Sequence, residues 1–302
     1  MFGDAARAVT RFQTGSQHFV FDVETASGRR VVARLSRPEQ VEAARSAVIW
    51  SNLLRPIGVP LPELLQADLS MKRLAYPVLL LERLPGEDLG AAYDHLTRAE
   101  LYALSERLIA VQDTVMRLPE GRGYGYAASP DGPFPHPTWR AVVAASLARS
   151  RARIRSAGIV GESVIDSAEA AAARFGYLDR VRATPFLHDI TTKNVIVHEG
   201  RLSGIVDVDD VCFGDPLLLI ALIRMALWAN GRDLAYVGMW LDIVRPDAEQ
   251  CAALDLYTLQ HCIDFMSELG QRFNRGEAAI EPAYLARLRA IHAELVRRVD
   301  AL

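Results

Sequence analysis

The segment from Asp189 to Asp207 constrains the fold of this chain more than any other stretch. Asp189 and Asn194 lead into a run of β-branched residues, Val195 to Val197. A turn signal, Glu199-Gly200, follows, and a second apolar run ends at Asp207. The pattern predicts a short hairpin that brings Asn194 and Asp207 to the same end.

The side chains of Asp189, Asn194 and Asp207 together suit one kind of chemistry. A carboxylate such as Asp189 can orient a hydroxyl and accept its proton, and the oxygens of Asn194 and Asp207 are hard ligands of the kind Mg²⁺ takes. Mg²⁺-dependent phosphoryl transfer requires such a set. Taken singly, each aspartate is better explained as a turn cap or a strand end, so the prediction rests on their joint spacing.

This segment resembles the catalytic loop of the aminoglycoside phosphotransferase and choline kinase-like family, whose members are relatives of the protein kinases. The family pattern is H-G-D-x-x-x-x-N, followed by a strand that ends in Asp. The resemblance implies that Asp189 is the catalytic residue and that Asn194 and Asp207 bind the metal.

Three positions of the loop depart from the family pattern. Leu187 stands where the family has His, His188 replaces the Gly, and Thr191 replaces a second His. Leu187 removes a polar support for the loop, which bears on the efficiency of the enzyme more than on the type of reaction.

Residues after the hairpin extend the resemblance. Phe213 to Pro216 matches the G-D-P turn of the family, with Asp215 as a helix cap ahead of a proline at the first helical position. Asp209 and Asp210 follow Asp207 closely. Each is either a partner of the metal site or a solvated loop residue.

The first hundred residues supply candidates for binding phosphates. Gly15 and Ser16 form a turn signal between two strand-like runs, and such a turn can lay backbone N–H groups over phosphate oxygens. Val31 to Leu35 is typical of a strand, in which the resemblance places Arg34 where kinases carry a phosphate-pairing Lys. Arg is a permanent cation, so charge neutralisation survives the exchange. An ordinary turn and a solvent-facing arginine are the competing interpretations.

A helical pattern from about Glu39 to Leu54 corresponds to the helix whose glutamate pairs with the strand cation in the family. Ser46 stands at the position of that glutamate. Glu42 lies one turn earlier and is the alternative partner for Arg34. After Leu187 in the catalytic loop, Ser46 is the second position at which a functional side chain of the family is missing.

The run from Tyr76 to Gly86 reads as a buried strand that breaks at Pro-Gly. It resembles the linker between the two lobes in the family. The resemblance implies that the backbone of Glu82, Arg83 and Leu84 hydrogen-bonds the purine of ATP.

Composition excludes several classes of protein. The 302 residues include 34 basic and 37 acidic ones, and the net charge of −3 offers no basic field for nucleic acid. Leu217 to Ala229 is too short to cross a membrane and predicts a buried helix. The N-terminal residues carry no apolar signal core, and the three cysteines have neither disulfide nor zinc spacing. We therefore expect a cytoplasmic protein without a membrane partner; its oligomeric state is left open.

The acceptor is the part of the prediction that the sequence constrains least. Leu241 to Gly270 carries six carboxylates against Arg245 alone, which suits a cationic acceptor such as an aminoglycoside or a choline-like amine. Solvated helix faces explain the same count. The Gly- and Pro-rich stretch from Gly121 to Pro137 either lines the acceptor pocket or forms a surface loop.

We predict an α+β, bilobal, protein kinase-like fold. A small β-rich nucleotide-binding lobe covers residues 1–81, a linker covers 82–89, and a larger, mainly helical lobe for catalysis and acceptor binding covers 90–302. The implied activity is Mg²⁺-assisted transfer of the γ-phosphate of ATP to a hydroxyl of a small molecule, with Asp189 as the base.

Two other functions compete with this prediction. One is a nucleotide-binding scaffold without transfer activity, motivated by Leu187 and Ser46. The other is a metal-dependent phosphohydrolase built on His188 and Asp189, although such sites gather further His and Asp ligands and the chain has seven histidines in all.

Overall fold

The computed structural model of the chain describes residues 4–12, 18–273, 276–277 and 280–300. Its first part is an antiparallel five-stranded sheet with strand order β1-β2-β3-β5-β4. These strands are β1 (Ala6–Arg11), β2 (Phe19–Thr25), β3 (Arg30–Leu35), β4 (Leu64–Asp68) and β5 (Val78–Glu82), and helix α1 (Val41–Leu54) lies between β3 and β4 in sequence.

The rest of the chain is mainly helical and carries three small sheets. The strands are β6 (Glu87–Asp88), β7 (Gly125–Ala127), β8 (Thr184–Phe186), β9 (Val195–His198), β10 (Arg201–Ile205), β11 (Val211–Gly214), β12 (Arg272–Phe273) and β13 (Gly276–Glu277). The helices are α2 (Leu89–Ala92), α3 (Arg98–Met116), α4 (Trp139–Ala157), α5 (Asp166–Arg174), α6 (Leu217–Ala229), α7 (Ala235–Val244), α8 (Ala248–Ser267) and α9 (Pro282–Val299).

Helix α1 is fastened to the helical part of the chain as well as to the first sheet. Trp50 is fully buried, and its indole N–H donates to the backbone oxygen of Ala127 at 2.8 Å. Ser46 Oγ donates to the backbone oxygen of Ala128 at 3.1 Å. Both acceptors belong to the segment at β7, so α1 bridges the two parts of the molecule.

The predicted hairpin is confirmed as β9 and β10. Glu199 and Gly200 connect the strands with φ angles of +50° and +73°, the left-handed pair that matches the twist of a tight hairpin. Strand β6 pairs with the outer edge of β9. A Cβ on Gly86 would lie 2.0 Å from the backbone oxygen of Val197, so glycine is required where the chain crosses this sheet.

The helical core is built around α8, which packs against α4, α6 and α9. Helix α6 is buried over most of its length, as predicted for Leu217 to Ala229. Its one arginine, Arg224, is buried and forms an ion pair with Asp255 of α8. This pairing explains how a cation is accommodated in an otherwise apolar helix.

The α+β, two-part architecture agrees with the prediction. The expected linker, residues 82–89, contains β6, which pairs with the hairpin. The lobe boundaries at residues 81 and 90 stay a prediction. None of the described helices is both long enough and apolar enough to span a membrane.

Candidate active site

Side chains of the loop between β8 and β9 hold Asp189 in place. Asn194 Nδ2 donates to the backbone oxygen of Asp189 at 2.9 Å, and Thr191 Oγ1 donates to Asp189 Oδ1 at 3.1 Å. These bonds orient the carboxylate, while the residue stays exposed to solvent. Thr191 therefore bonds to the carboxylate from a position where the family has His.

The surroundings of Asp189 favour its protonated form. Neighbouring protein groups withdraw water from the carboxylate and raise the pKa of Asp189; Lys193 opposes this shift and Asp207 adds to it. A raised pKa makes the carboxylate a better proton acceptor, which suits a base.

Asn194 and Asp207 meet at the open end of the hairpin, as their spacing predicts. The Val206 N–H donates to the Asn194 backbone oxygen at 2.8 Å, so Asp207 directly follows a residue that is paired with Asn194. Asn194 is buried and its amide nitrogen is used, which leaves Oδ1 as its ligand atom. Asp207 is exposed and has a φ of +64°, a strained conformation of the kind that clusters at functional sites. Two such oxygens fit Mg²⁺.

Arg34 is buried in β3 and faces two carboxylates. Its Nη2 forms an ion pair with Asp209 Oδ2, and its Nη1 lies 3.5 Å from Asp207 Oδ1. Burial opposes the charge, but Asp209 and Asp207 more than offset it and raise the pKa of the guanidinium. The structure therefore places Arg34 beside the proposed metal ligand and excludes the solvent-facing interpretation.

His18 completes the surroundings of Arg34. His18 Nε2 lies 2.6 Å from Arg34 Nη2 and 3.1 Å from Asp209 Oδ2. The other ring nitrogen, His18 Nδ1, lies 3.0 Å from Ser36 Oγ. The ligand atoms of His18, Asp207 and Asp209 lie within 4.8 Å of one another, but the guanidinium already supplies a cation at this point.

Helix α1 does not supply the partner of Arg34. Ser46 bonds to the segment at β7, and Glu42 pairs with Arg45 on the exposed face of the helix at 3.3 Å. Asp209 takes the place that the family gives to a helix glutamate. Sequence reasoning named Asp209 only as one of two possible partners of the metal site.

The linker residues are not equivalent in the structure. The Glu82 N–H donates to the backbone oxygen of Glu63 at 2.8 Å, and Glu82 pairs with Val31 in the sheet, so its N–H is engaged. Arg83 and Leu84 come after the pair of Val31 and Glu82, which is the last residue pair between β3 and β5. Arg83 Nη1 donates to the Leu84 oxygen at 2.5 Å, and Arg83 Nε lies 3.3 Å from Asp22 Oδ2. The contact of Glu82, Arg83 and Leu84 with the purine stays a prediction; Gly15 and Ser16 lie outside the described residues.

Gln112 of α3 is a functional candidate that sequence reasoning missed. Its buried side chain accepts from the Leu187 N–H at 3.0 Å and donates to the Leu187 oxygen at 2.6 Å. Leu187 stands where the family has His and cannot support the loop with its own side chain. The two hydrogen bonds from Gln112 to the Leu187 backbone provide that support instead. A polar glutamine among the apolar residues of this segment, which include Leu108, Val111 and Val115, was the signal that could have pointed to it.

Tyr126 and His188 form a wall next to Asp189. Tyr126 OH lies 2.9 Å from His188 Nδ1, and His188 stacks on His261 with ring centroids 5.4 Å apart. Burial, followed by His261 and Arg149, lowers the pKa of His188 well below the usual range. Tyr126 connects the Gly-rich stretch to the catalytic loop, in line with a role at the acceptor pocket. Among the described residues, the group of metal-ligand side chains that lie close together is His18, Asp207 and Asp209, and it does not include His188.

Most of the carboxylates predicted to form an acidic face are engaged within the protein. Asp247 caps α8, Glu249 pairs with Arg180, Asp255 with Arg224, and Asp264 with Arg149 and Arg153. Glu268 is half-buried at the end of α8, and burial, then Asp264, raises its pKa. Lys193 acts on both Glu268 and Asp189, so the end of α8 lies beside the catalytic loop.

Two further aspartates near the hairpin differ in their surroundings. Asp215 bonds to the Leu217 N–H at 3.0 Å, as expected of a helix cap, and also accepts from the hydroxyls of Tyr177 and Tyr257. Asp210 is partly buried, and burial together with Asp209 raises its pKa to about 6. Asp215 is thus a structural residue, whereas Asp210 carries an unfavourable charge at neutral pH.

The chain was compared with known proteins. The phosphotransferase enzyme family matches residues 8–254. Among curated proteins the comparison finds no match. A thermostable mutant of aminoglycoside phosphotransferase APH(4)-Ia is similar in structure, with a TM-score of 0.67 and 18% identity over 98% of this chain and 94% of that one.

Two other solved structures are similar. ADP-bound APH(2'')-Ib has a TM-score of 0.65 and 12% identity, over 97% of this chain and 93% of that chain. A fructosamine-3-kinase homologue from Thermobifida fusca has a TM-score of 0.62 and 14% identity, over 99% and 96%. The chain therefore has a protein kinase-like fold and belongs to the phosphotransferase enzyme family.

Proposed function

We propose that this protein transfers the γ-phosphoryl group of ATP to a hydroxyl of a small molecule. The observation that carries the proposal is the placement of Asp189, Asn194 and Asp207 at the open end of one hairpin, in a chain of this family, with Asn194 bonded to Asp189 and to Val206. In support, another structure of APH(4)-Ia is a ternary complex with AMP-PNP and hygromycin B.

Each residue has a proposed role. Asp189 orients the acceptor hydroxyl and takes its proton as the new oxygen–phosphorus bond forms and the bond to the β-phosphate breaks. Asn194 Oδ1 and the Asp207 carboxylate would hold Mg²⁺, which would supply positive charge for the phosphate oxygens. Arg34 faces the phosphates, and the backbone at Arg83 and Leu84 faces the purine.

The acceptor is proposed to bind next to Asp189, beside the wall of Tyr126 and His188. Glu268 is one acidic group on this side without an ion pair among the described residues, and it offers a partner for a single amine. Four of the six carboxylates counted in the sequence are used in a helix cap or in ion pairs within the protein: Asp247, Glu249, Asp255 and Asp264. The structure therefore supports an acceptor with many positive charges less than the number of carboxylates in the sequence does.

Thermal unfolding in the presence of ligands tests the proposal. We expect ATP with Mg²⁺ to raise the Tm more than either component alone, and the joint effect to disappear in Asp207→Ala. ADP release in a screen of hydroxyl-bearing small molecules then tests transfer. No stabilisation at saturating ATP would contradict the proposal, and stabilisation without transfer to any acceptor would favour a nucleotide-binding scaffold.

A further inference from the structure

The strongest polar contact between the first sheet and the catalytic region joins Arg34 to Asp209. Arg34 lies in β3, and Asp209 lies between β10 and β11, 175 residues later in the chain. The arginine is 6% exposed and the Asp209 side chain is 20% exposed, so water screens this ion pair little. A pair this buried fixes the orientation of the guanidinium.

The two arms of the Arg34 guanidinium have different surroundings. Nη2 is shared by Asp209 and His18, and His18 is itself held by Ser36. Among the described residues, the ion-pair contact of Nη1 is a longer one, 3.5 Å, to the exposed carboxylate of Asp207. One arm is therefore anchored, and the other is available to a phosphate oxygen once Asp207 binds a metal ion.

We propose that Asp209 is the positioning residue for Arg34 in nucleotide binding; this inference rests on the proposed function. Asp209 holds Nη2 and thereby aims Nη1 at the phosphates, a task that α1 does not perform because Ser46 and Glu42 are engaged elsewhere. The loop that carries the proposed metal ligand Asp207 thus also orients the phosphate-binding cation.

The binding of ATP and of adenosine to matched variants tests this role. Isothermal titration calorimetry with Mg²⁺ gives both affinities for wild type and for Asp209→Asn. We expect Asp209→Asn to weaken ATP about tenfold, which corresponds to about 1.4 kcal/mol, and to leave adenosine unchanged because adenosine has no phosphates. Unchanged or tighter ATP binding by Asp209→Asn would overturn the inference.

A double-mutant cycle separates positioning from a general structural role. If Asp209 acts through Arg34, the variant with both Arg34→Ala and Asp209→Asn binds ATP no more weakly than Arg34→Ala alone. Losses that multiply in the double variant would contradict the inference. Glu42→Gln is the matched control, and a loss there equal to that of Asp209→Asn would assign the role to α1.

A third variant guards against a folding defect in Asp209→Asn. His18→Ala removes the other contact of Nη2 and leaves both charges of the ion pair in place. We expect about a threefold loss of ATP affinity with adenosine unchanged. An equal loss for both ligands would indicate general damage and overturn the inference. Wild type that binds no ATP would overturn the proposed function itself, whereas normal ATP binding by Asp209→Asn would overturn this inference alone.

Discussion

The candidate site has a hairpin end, at Asn194, and a cation end, at Arg34. The contacts that stabilise these two ends join residues at very different separations along the chain. At the hairpin end, the bonds of Asn194 reach only from Asp189 to Val206. At the cation end, Arg34 is bonded to Asp209, 175 residues later in the chain. The hairpin end is a local structure, whereas the cation end exists only when the sheet and the helical part of the molecule are together.

This difference separates two kinds of mutational effect. A change at the hairpin end alters the chemical step or the metal ligands, because these groups touch the reacting atoms in the proposed function. A change at the cation end alters the orientation of one guanidinium, and it should act mainly on the affinity for phosphates. Three variants probe the hairpin end and its surroundings.

The largest effect is expected for Asp189→Asn. The amide keeps the shape of the side chain but removes the proton acceptor, so kcat should fall about 10³-fold while the affinity for ATP stays near that of wild type. Steady-state kinetics with an accepted substrate and calorimetry with ATP measure the two quantities. Turnover like that of wild type would refute the role of Asp189 as the base.

A smaller effect is expected for Gln112→Leu, which shows whether the hairpin end depends on a distant residue. The substitution leaves the N–H and C=O of Leu187 buried without partners, and we expect a loss of about 2–4 kcal/mol in the free energy of unfolding together with a lower kcat. Chemical denaturation measures the first. Ser105→Ala is the control, since that hydroxyl donates to the Leu101 oxygen of its own helix at 2.9 Å. Equal effects of the two variants would show that Gln112 has no special role.

The smallest effect, a gain in stability, is expected for Asp210→Asn. The folded-state pKa of about 6 lies above the ordinary value of about 4, so the folded protein binds the proton more tightly and wild-type stability falls as the pH rises from about 4 through 6. At pH 7 the variant should be more stable by about 1–2 kcal/mol, and below pH 4 the difference should vanish. Tm values across this range, without metal or nucleotide, measure it. A difference that does not change with pH would contradict the assigned cause.

The sequence predicted the hairpin end because its contacts are local. β-branched runs on either side of Glu199 and Gly200 determine both the turn and the pairing that brings Asn194 and Asp207 together. Helix α6 and the strand that carries Arg34 were predicted for the same reason, since each follows from the pattern of a short segment.

The partners of Arg34 and of Leu187 could not be predicted, because they come from distant parts of the chain. No spacing rule connects β3 to Asp209 or α3 to the catalytic loop; only packing brings them together. The bond from the Glu82 N–H to Glu63 could not be predicted for a related reason, since it depends on the register between β4 and β5. Local patterns identify which groups can act, and the fold decides what each of them contacts.

The attachment of α1 has a consequence for motion. Trp50 and Ser46 tie this helix to Ala127 and Ala128, although α1 is inserted between two strands of the first sheet. If the sheet tilts to admit or release a nucleotide, the hinges lie at the two ends of α1, and the helix stays behind with the larger body. The moving unit is then the sheet alone, so a spectroscopic label on α1 should report little of the opening that a label on β2 would show.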